Sequence, residues 1–157
     1  MNNIGNVYKS QGKWADALAQ YRASRDIARE LGTRQREAYT LENMGELHIK
    51  QGEWELAKLL LHQVLQVTRD LGDRELEACA LHNLGDWYKG QGQWDEAIAY
   101  YNQALVRRRE LGARAEISET LDALGELYRM RGLWAEAVKT HEEALQVWRE
   151  LAETQHE

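Results

Sequence analysis

The sequence of 157 residues contains no proline and no phenylalanine. Without proline, the residue left to interrupt a helix is glycine, present 12 times. Six tryptophans and seven tyrosines must supply the large side chains of any core. Cys79 is the single cysteine, which excludes an internal disulfide and a cysteine-based zinc site and fits a reducing compartment. A basic excess is also missing. The net charge of -6 argues against a general nucleic-acid binder, which needs a positive surface. No apolar run approaches the roughly 18 residues of a membrane span. Met1-Asn2-Asn3-Ile4-Gly5 lacks the basic and apolar regions of a signal peptide. The expectation is a cytoplasmic chain with no membrane or nucleic-acid partner. With 29% charged and 43% apolar residues, the composition is that of a folded globular chain.

What is present is a repeat. Gly5, Gly45, Gly85 and Gly125 are spaced by 40, and so are Gly12, Gly52, Gly92 and Gly132. Trp14, Trp54, Trp94 and Trp134 keep the same step, as do Ala17, Ala57, Ala97 and Ala137, and Leu31, Leu71, Leu111 and Leu151. Five ladders in one register define a tandem array. Each unit holds two apolar stretches of helical period, split by a break such as Gly92-Gln93-Trp94 and closed by a second such as Leu71-Gly72-Asp73. Glycine suits these helix ends because it accepts the left-handed conformation, and Thr33 and Asp73 then fall at N-cap places. The spacing predicts helix A, turn, helix B, turn, with helix A opening near residues 35, 75 and 115. One domain spans 1–157, with units at 1–32, 33–72, 73–112 and 113–157. Gly5, Gly45, Gly85 and Gly125 lie inside helix A, where glycine costs about 1 kcal/mol against alanine. Their recurrence predicts a close helix approach, with Ala17, Ala57, Ala97 and Ala137 as its other half and the four tryptophans covering the turns at mostly buried sites.

Leu81-x-x-Leu84-Gly85-x-x-Tyr88 followed by Ala97-x-x-x-Tyr101 resembles the tetratricopeptide repeat, and so does Leu121-x-x-Leu124-Gly125-x-x-Tyr128 followed by Ala137. The second unit is looser, with Met44, His48 and Leu61 in the Leu, Tyr and Phe places. The period of 40 departs from the usual 34, and the closing proline is absent. Both departures resemble the long-helix subclass of kinesin light chains, polarity-complex adaptors and sensor arrays of bacterial signal-transduction ATPases. The resemblance implies an all-α, right-handed superhelical solenoid of four helix-turn-helix units, eight helices in all. It also implies a scaffold whose helices A line a concave groove for a protein or peptide, and not an enzyme.

Candidate sites follow the register. Glu46, Asp86 and Glu126 recur just after the helix A glycine; Glu42 and Asp122 lie one turn earlier, with His82 at the equivalent place in the third unit. Residues four apart share a helix face, so stacked units form an acidic track suited to a ligand with basic side chains. Lys9, Lys89 and Arg129 recur one turn beyond, where pairing with the track would weaken that case. Asn3, Asn43 and Asn83 precede the glycine by two residues, and Ala123 breaks the series. Asparagine is a mediocre helix former, but its amide donates and accepts at once. In the resembled family, asparagines here hold a peptide backbone; bonding between repeats is the other reading. The histidines read as core or rim residues, Cys79 as packing, and Arg107-Arg108-Arg109 as a solvated face. No metal or cofactor is expected.

The first helix A and the last helix B look cut from a longer protein. Ala144, Val147, Trp148 and Leu151 then face outward, with Trp148 standing where Ala28, Thr68 and Arg108 stand. Such a face predicts self-association, by like ends around a two-fold axis or by end-to-end stacking. The alternatives to a groove-binding scaffold are therefore a self-assembling scaffold and a sensor segment of a multidomain signalling ATPase.

Overall fold

The computed structural model describes the backbone of residues 2–154 and the side chains of residues 4–153. They form α1 (Asn2–Ser10), α2 (Trp14–Glu30), α3 (Arg34–Gln51), α4 (Trp54–Leu71), α5 (Arg74–Gly90), α6 (Trp94–Leu111), α7 (Arg114–Met130) and α8 (Trp134–Thr154). Odd-numbered helices are the A elements and even-numbered ones the B elements of a superhelical solenoid. Each helix packs mainly on its neighbours in sequence, and α3 also touches α5.

The breaks work as their composition requires. Gly52 caps α3 at φ 74°, a left-handed backbone open to glycine, and Glu53 N–H returns to the His48 carbonyl at 2.8 Å. Asp73 caps α5 by accepting from Leu76 N–H at 3.0 Å. Thr33 holds the same place before α3 but turns back, its hydroxyl donating to the Ala28 carbonyl at 3.2 Å.

Core clusters sit at the junctions between units. Leu18 and Tyr21 of α2 pack with Met44 and Leu47 of α3. Leu61, Val64 and Leu65 of α4 meet Leu81 and Leu84 of α5, and Tyr101 and Leu105 of α6 meet Leu121, Leu124 and Leu127 of α7. Helices α2, α4 and α6 are thus two-sided walls, each packed on its own helix A and on the next.

Three expectations are corrected. The close approach at the helix A glycines is real, but its other half is a large side chain four residues after each alanine. A Cβ at Gly85 would lie 2.6 Å from two Tyr101 ring carbons, and one at Gly45 would lie 2.9 Å from Leu61 Cδ2. Tyr21 and His141 hold the same place at Gly5 and Gly125. The tryptophans are not equivalent. Trp14 is exposed and Trp134 is 64% exposed, while Trp54 and Trp94 are half-buried. Trp54 is seated because the next helix A offers a glycine, and a Cβ at Gly90 would lie 2.7 Å from its ring. Lys50 and Met130 stand at that register elsewhere. Finally, Arg107-Arg108-Arg109 is not one solvated face. Arg107 pairs with Glu77 and Glu110, Arg109 pairs with Glu143 on α8, and Arg108 is buried.

Candidate functional site

Helices α3, α5 and α7, with Arg108 from α6, enclose a cleft of about 700 Å³. Six carboxylates line it, on Glu42, Glu46, Asp86, Glu116, Glu119 and Glu126, against three cations, on Lys50, Lys89 and Arg108. His82 and Asn83 complete its polar wall, and Ile49, Cys79 and Met130 are its apolar parts. The register placed five of these residues on one helix face, and stacking brings them together. Asp122 stands apart, exposed beside His141 at 3.5 Å. The side chain of Asn3 lies outside the described residues.

The asparagines are engaged within the protein. Asn83 Nδ2 donates to Glu42 Oε1 at 2.6 Å, across the junction between the second and third units. Asn43 Nδ2 donates to the Tyr39 carbonyl of its own helix at 2.9 Å, and its Oδ1 accepts from Lys9 Nζ at 3.3 Å. Bonding between repeats is therefore present at both. The acidic track is also partly matched. Lys9 reaches Glu46 at 2.7 Å, Lys50 reaches the same carboxylate at 2.8 Å, and Lys89 reaches Glu126 at 2.5 Å. Asp86 instead accepts from the Tyr101 hydroxyl at 2.5 Å. Asn6 takes the same bond from Tyr21 in the first unit, which makes it the track's first rung.

Glu42 is the most perturbed carboxyl of the cleft. Burial first, and the nearby Glu46 charge second, push it up to about 7. Lys9, the Asn83 hydrogen bond and Arg108 pull the other way without restoring it. His82 is pushed down to about 4, by burial and then by Arg108, so the ring is neutral at pH 7. Burial raises the Asp86 carboxyl despite its bond from Tyr101, and raises the Cys79 thiol to about 11. A thiol so far from its thiolate is a packing residue.

Arg108 is the residue that sequence reasoning missed. It is 4% exposed, and its Nη1 donates to the Glu116 carbonyl at 2.7 Å, to His82 Nδ1 and Glu119 Oε2 at 3.2 Å, and to the Thr120 hydroxyl. The signal was its register, since Ala28 and Thr68 hold the same place and are fully buried. Among the described residues, no group of three His, Cys, Asp or Glu side chains could hold a metal ion, and no helix is long and apolar enough to cross a membrane.

The expected self-association face is divided. Ala144 is 2% exposed, and its carbonyl accepts from Ser118 of α7 at 3.1 Å. Val147 packs on the α6–α7 cluster and Leu151 is half-buried. Ala144 is therefore withdrawn from an outward face, because helix B turns that side toward its own helix A. Trp148 is 51% exposed.

Comparison with known proteins agrees with this geometry. Models of the tetratricopeptide repeat match residues 1–70, 36–110 and 118–157. No curated protein matches the chain. Among solved structures, BtubC (BKLC) from P. vanneervenii superposes with a TM-score of 0.82 at 21% identity, over 95% of this chain and 62% of that one. A Rap protein complexed with competence and sporulation factor superposes at 0.87 and 18% identity, over 92% of this chain and 40% of that one. The nearly identical TPR-like repeats of a kinesin light chain from Podosopora anserina give 0.71 at 18% identity, over 99% of this chain and 75% of that one. The chain thus spans less than two thirds of the first two. The chain belongs to the tetratricopeptide repeat family and is built as a protein-interaction scaffold.

Proposed function

We propose that the scaffold takes an extended protein segment bearing basic side chains into the cleft of α3, α5 and α7. The observation that carries this reading is the charge of the cleft, where carboxylates outnumber cations two to one in an open space of about 700 Å³. The volume lies within the roughly 300–1,000 Å³ of ordinary ligand clefts, which is room for a short stretch of an extended segment. The Rap protein of like fold, complexed with competence and sporulation factor, supports a ligand-binding use of the architecture. Glu42, Glu46, His82, Asn83, Asp86 and Glu126 face the ligand, with Asn43 one turn behind. Peptide arrays on the intact chain test the reading. Glu46→Lys and Asp86→Lys are expected to weaken a basic segment roughly tenfold and to flatten its salt dependence. Asn43→Ala and Asn83→Ala are expected to weaken it less, because their amides are already occupied. Normal binding by both lysine variants would place the ligand elsewhere.

A second reading, self-association, rests on two complementary faces. Val138, Leu145 and Trp148 of α8 are exposed, while Leu105 and Arg108 at the registers of the last two are buried under α7. Ile4 and Val7 of α1 are exposed, while Met44 and Leu47, Leu84 and Trp87, and Leu124 and Leu127 at their registers are buried. A B face and an A face match each other as the inner junctions do, which favours head-to-tail stacking over a two-fold dimer. Light scattering is expected to show mass rising with concentration, and a Trp148→Glu, Leu151→Glu variant is expected to stay monomeric. A parent chain that remains monomeric at high micromolar concentration would refute it.

A further inference from the structure

The ion pairs between units obey a register rule. Lys9 reaches Glu46 and Lys89 reaches Glu126, each across 37 positions. Applied to the middle junction, the rule pairs position 49 with Asp86, and position 49 is Ile49. The ladder of lysines therefore skips one rung. Asp86 has the Tyr101 hydroxyl at 2.5 Å and the His82 ring at 3.8 Å, a ring that is neutral at pH 7. Among the described residues, no lysine or arginine lies within 4 Å of it. Glu42 accepts from Asn83, and among the described residues no lysine or arginine lies within 4 Å of it, so the charges of Lys9 and Arg108 act on it only from farther away. Ile49, Glu42 and Asp86 all line the 700 Å³ cleft.

A second feature of the same wall points to a ligand. Arg108 lines this cleft and a smaller one of about 210 Å³ beside it, is 4% exposed, and its buried Nε–H has no acceptor among the described residues. A buried donor without a partner is costly in a native fold and asks for an acceptor from outside the chain. A peptide carries such acceptors at every residue.

We propose that the skipped rung is a receiving site for one lysine of the bound segment. The ammonium of that lysine takes the place that a lysine at position 49 would have had, pairing with Asp86, while Glu42 adds a carboxyl to the same cleft. Its methylene stem lies on Ile49, which is apolar where the other units are cationic. A backbone carbonyl of the segment accepts from Arg108 Nε–H once the guanidinium turns toward the cleft, since that atom is closed off in the free chain. The site rests on the reading of the cleft as a groove for an extended segment, and adds to it which residue type is selected and where.

The test fills the rung from within. The full chain is titrated by NMR with an acetylated, amidated Ser-Gly-Lys-Gly-Ser peptide and with its Nζ-acetyl-lysine counterpart. The lysine peptide is expected to shift the Asn83 side-chain amide and the backbone amides of α3 and α5. Acetylation of the ligand lysine, Ile49→Lys and Asp86→Asn are each expected to weaken binding roughly tenfold. Ile49→Lys should keep or raise the melting temperature, since it restores the pair found at both other junctions. Should that variant fold poorly, Asp86→Asn decides, because an amide keeps the bond from Tyr101 and removes the charge. Unchanged binding of the lysine peptide by these variants overturns the site. Equal binding of both peptides, with shifts along α3, α5 and α7, overturns the lysine site and leaves the groove standing. Shifts nowhere on those helices overturn both.

Discussion

Gly85→Leu is expected to destabilise the protein by about 3 kcal/mol, lowering the melting temperature by roughly 6–12 °C for a chain of this size. A leucine side chain on α5 would meet the Tyr101 ring, which is fully buried, bonded through its hydroxyl to Asp86, and packed on α7 from behind. The ring has nowhere to go, so the strain passes to the helix A–helix B contact itself. Gly125→Leu makes the same change one unit later with a different neighbour. A Cβ there would lie 2.6 Å from the His141 ring, but the His141 side chain is 48% exposed and can swing outward. Its expected cost is about 1 kcal/mol, mostly that of displacing the ring. Thermal melts of the two variants side by side check the argument. Equal losses would show that the glycines matter for some property of helix A and not for what stands against them.

Glu42→Gln is expected to stabilise the protein at pH 8 by about 2 kcal/mol and to leave it unchanged near pH 4. Burial and Glu46 raise the folded-state carboxyl from 4.5 to about 7, so the folded chain binds this proton more tightly than the unfolded one. The stabilisation linked to that proton is complete below the unfolded value, near 4.5, and is lost as the pH rises through about 7. Glutamine keeps an oxygen for Asn83 and has no charge to desolvate, so the loss disappears. Glu77 has the opposite sign. Burial would raise it, but hydrogen bonds from Arg74 and Arg69 and the Arg107 charge outweigh burial and hold it below the usual carboxylate range. Its contribution is present above the unfolded value and is lost as the pH falls through the folded one. Glu77→Gln is expected to destabilise the chain at pH 7 by about 2 kcal/mol, and less under acid. Denaturant unfolding of both variants from pH 4 to pH 8 separates them. A Glu42→Gln variant with the parent's pH profile would mean that Glu42 is ordinarily solvated.

Much of this molecule was legible in its sequence because it repeats. Five ladders with a step of 40 fixed the number of units, the helix order and the turn positions, since glycine at a left-handed helix end and small residues at a close contact are local requirements. The acidic face was legible for the same reason, as residues four apart on a helix share a side whatever the fold. Departures from the repeat carried the rest of the information, and one chain read alone ranks them poorly. Ile49 in a column of lysine and arginine, and Arg108 in a column of alanine and threonine, were both visible in the register, but their meaning depends on neighbours 37 and 12 positions away.

Only the tertiary structure decided which groups are matched. Stacking brought Lys9 to Glu46 and Lys89 to Glu126, tied Asn83 to Glu42, and buried Arg108 among Glu116, Glu119, Thr120 and His82. It also turned Ala144 inward toward α7 and set Tyr101, not Ala97, against Gly85. The physical reason is one of range. Helix propensity, capping and periodicity act over a few residues and are written along the chain. Burial, charge pairing and the shift of a carboxyl depend on what the packing of different units brings within a few ångströms, and the sequence by itself sets no such distance.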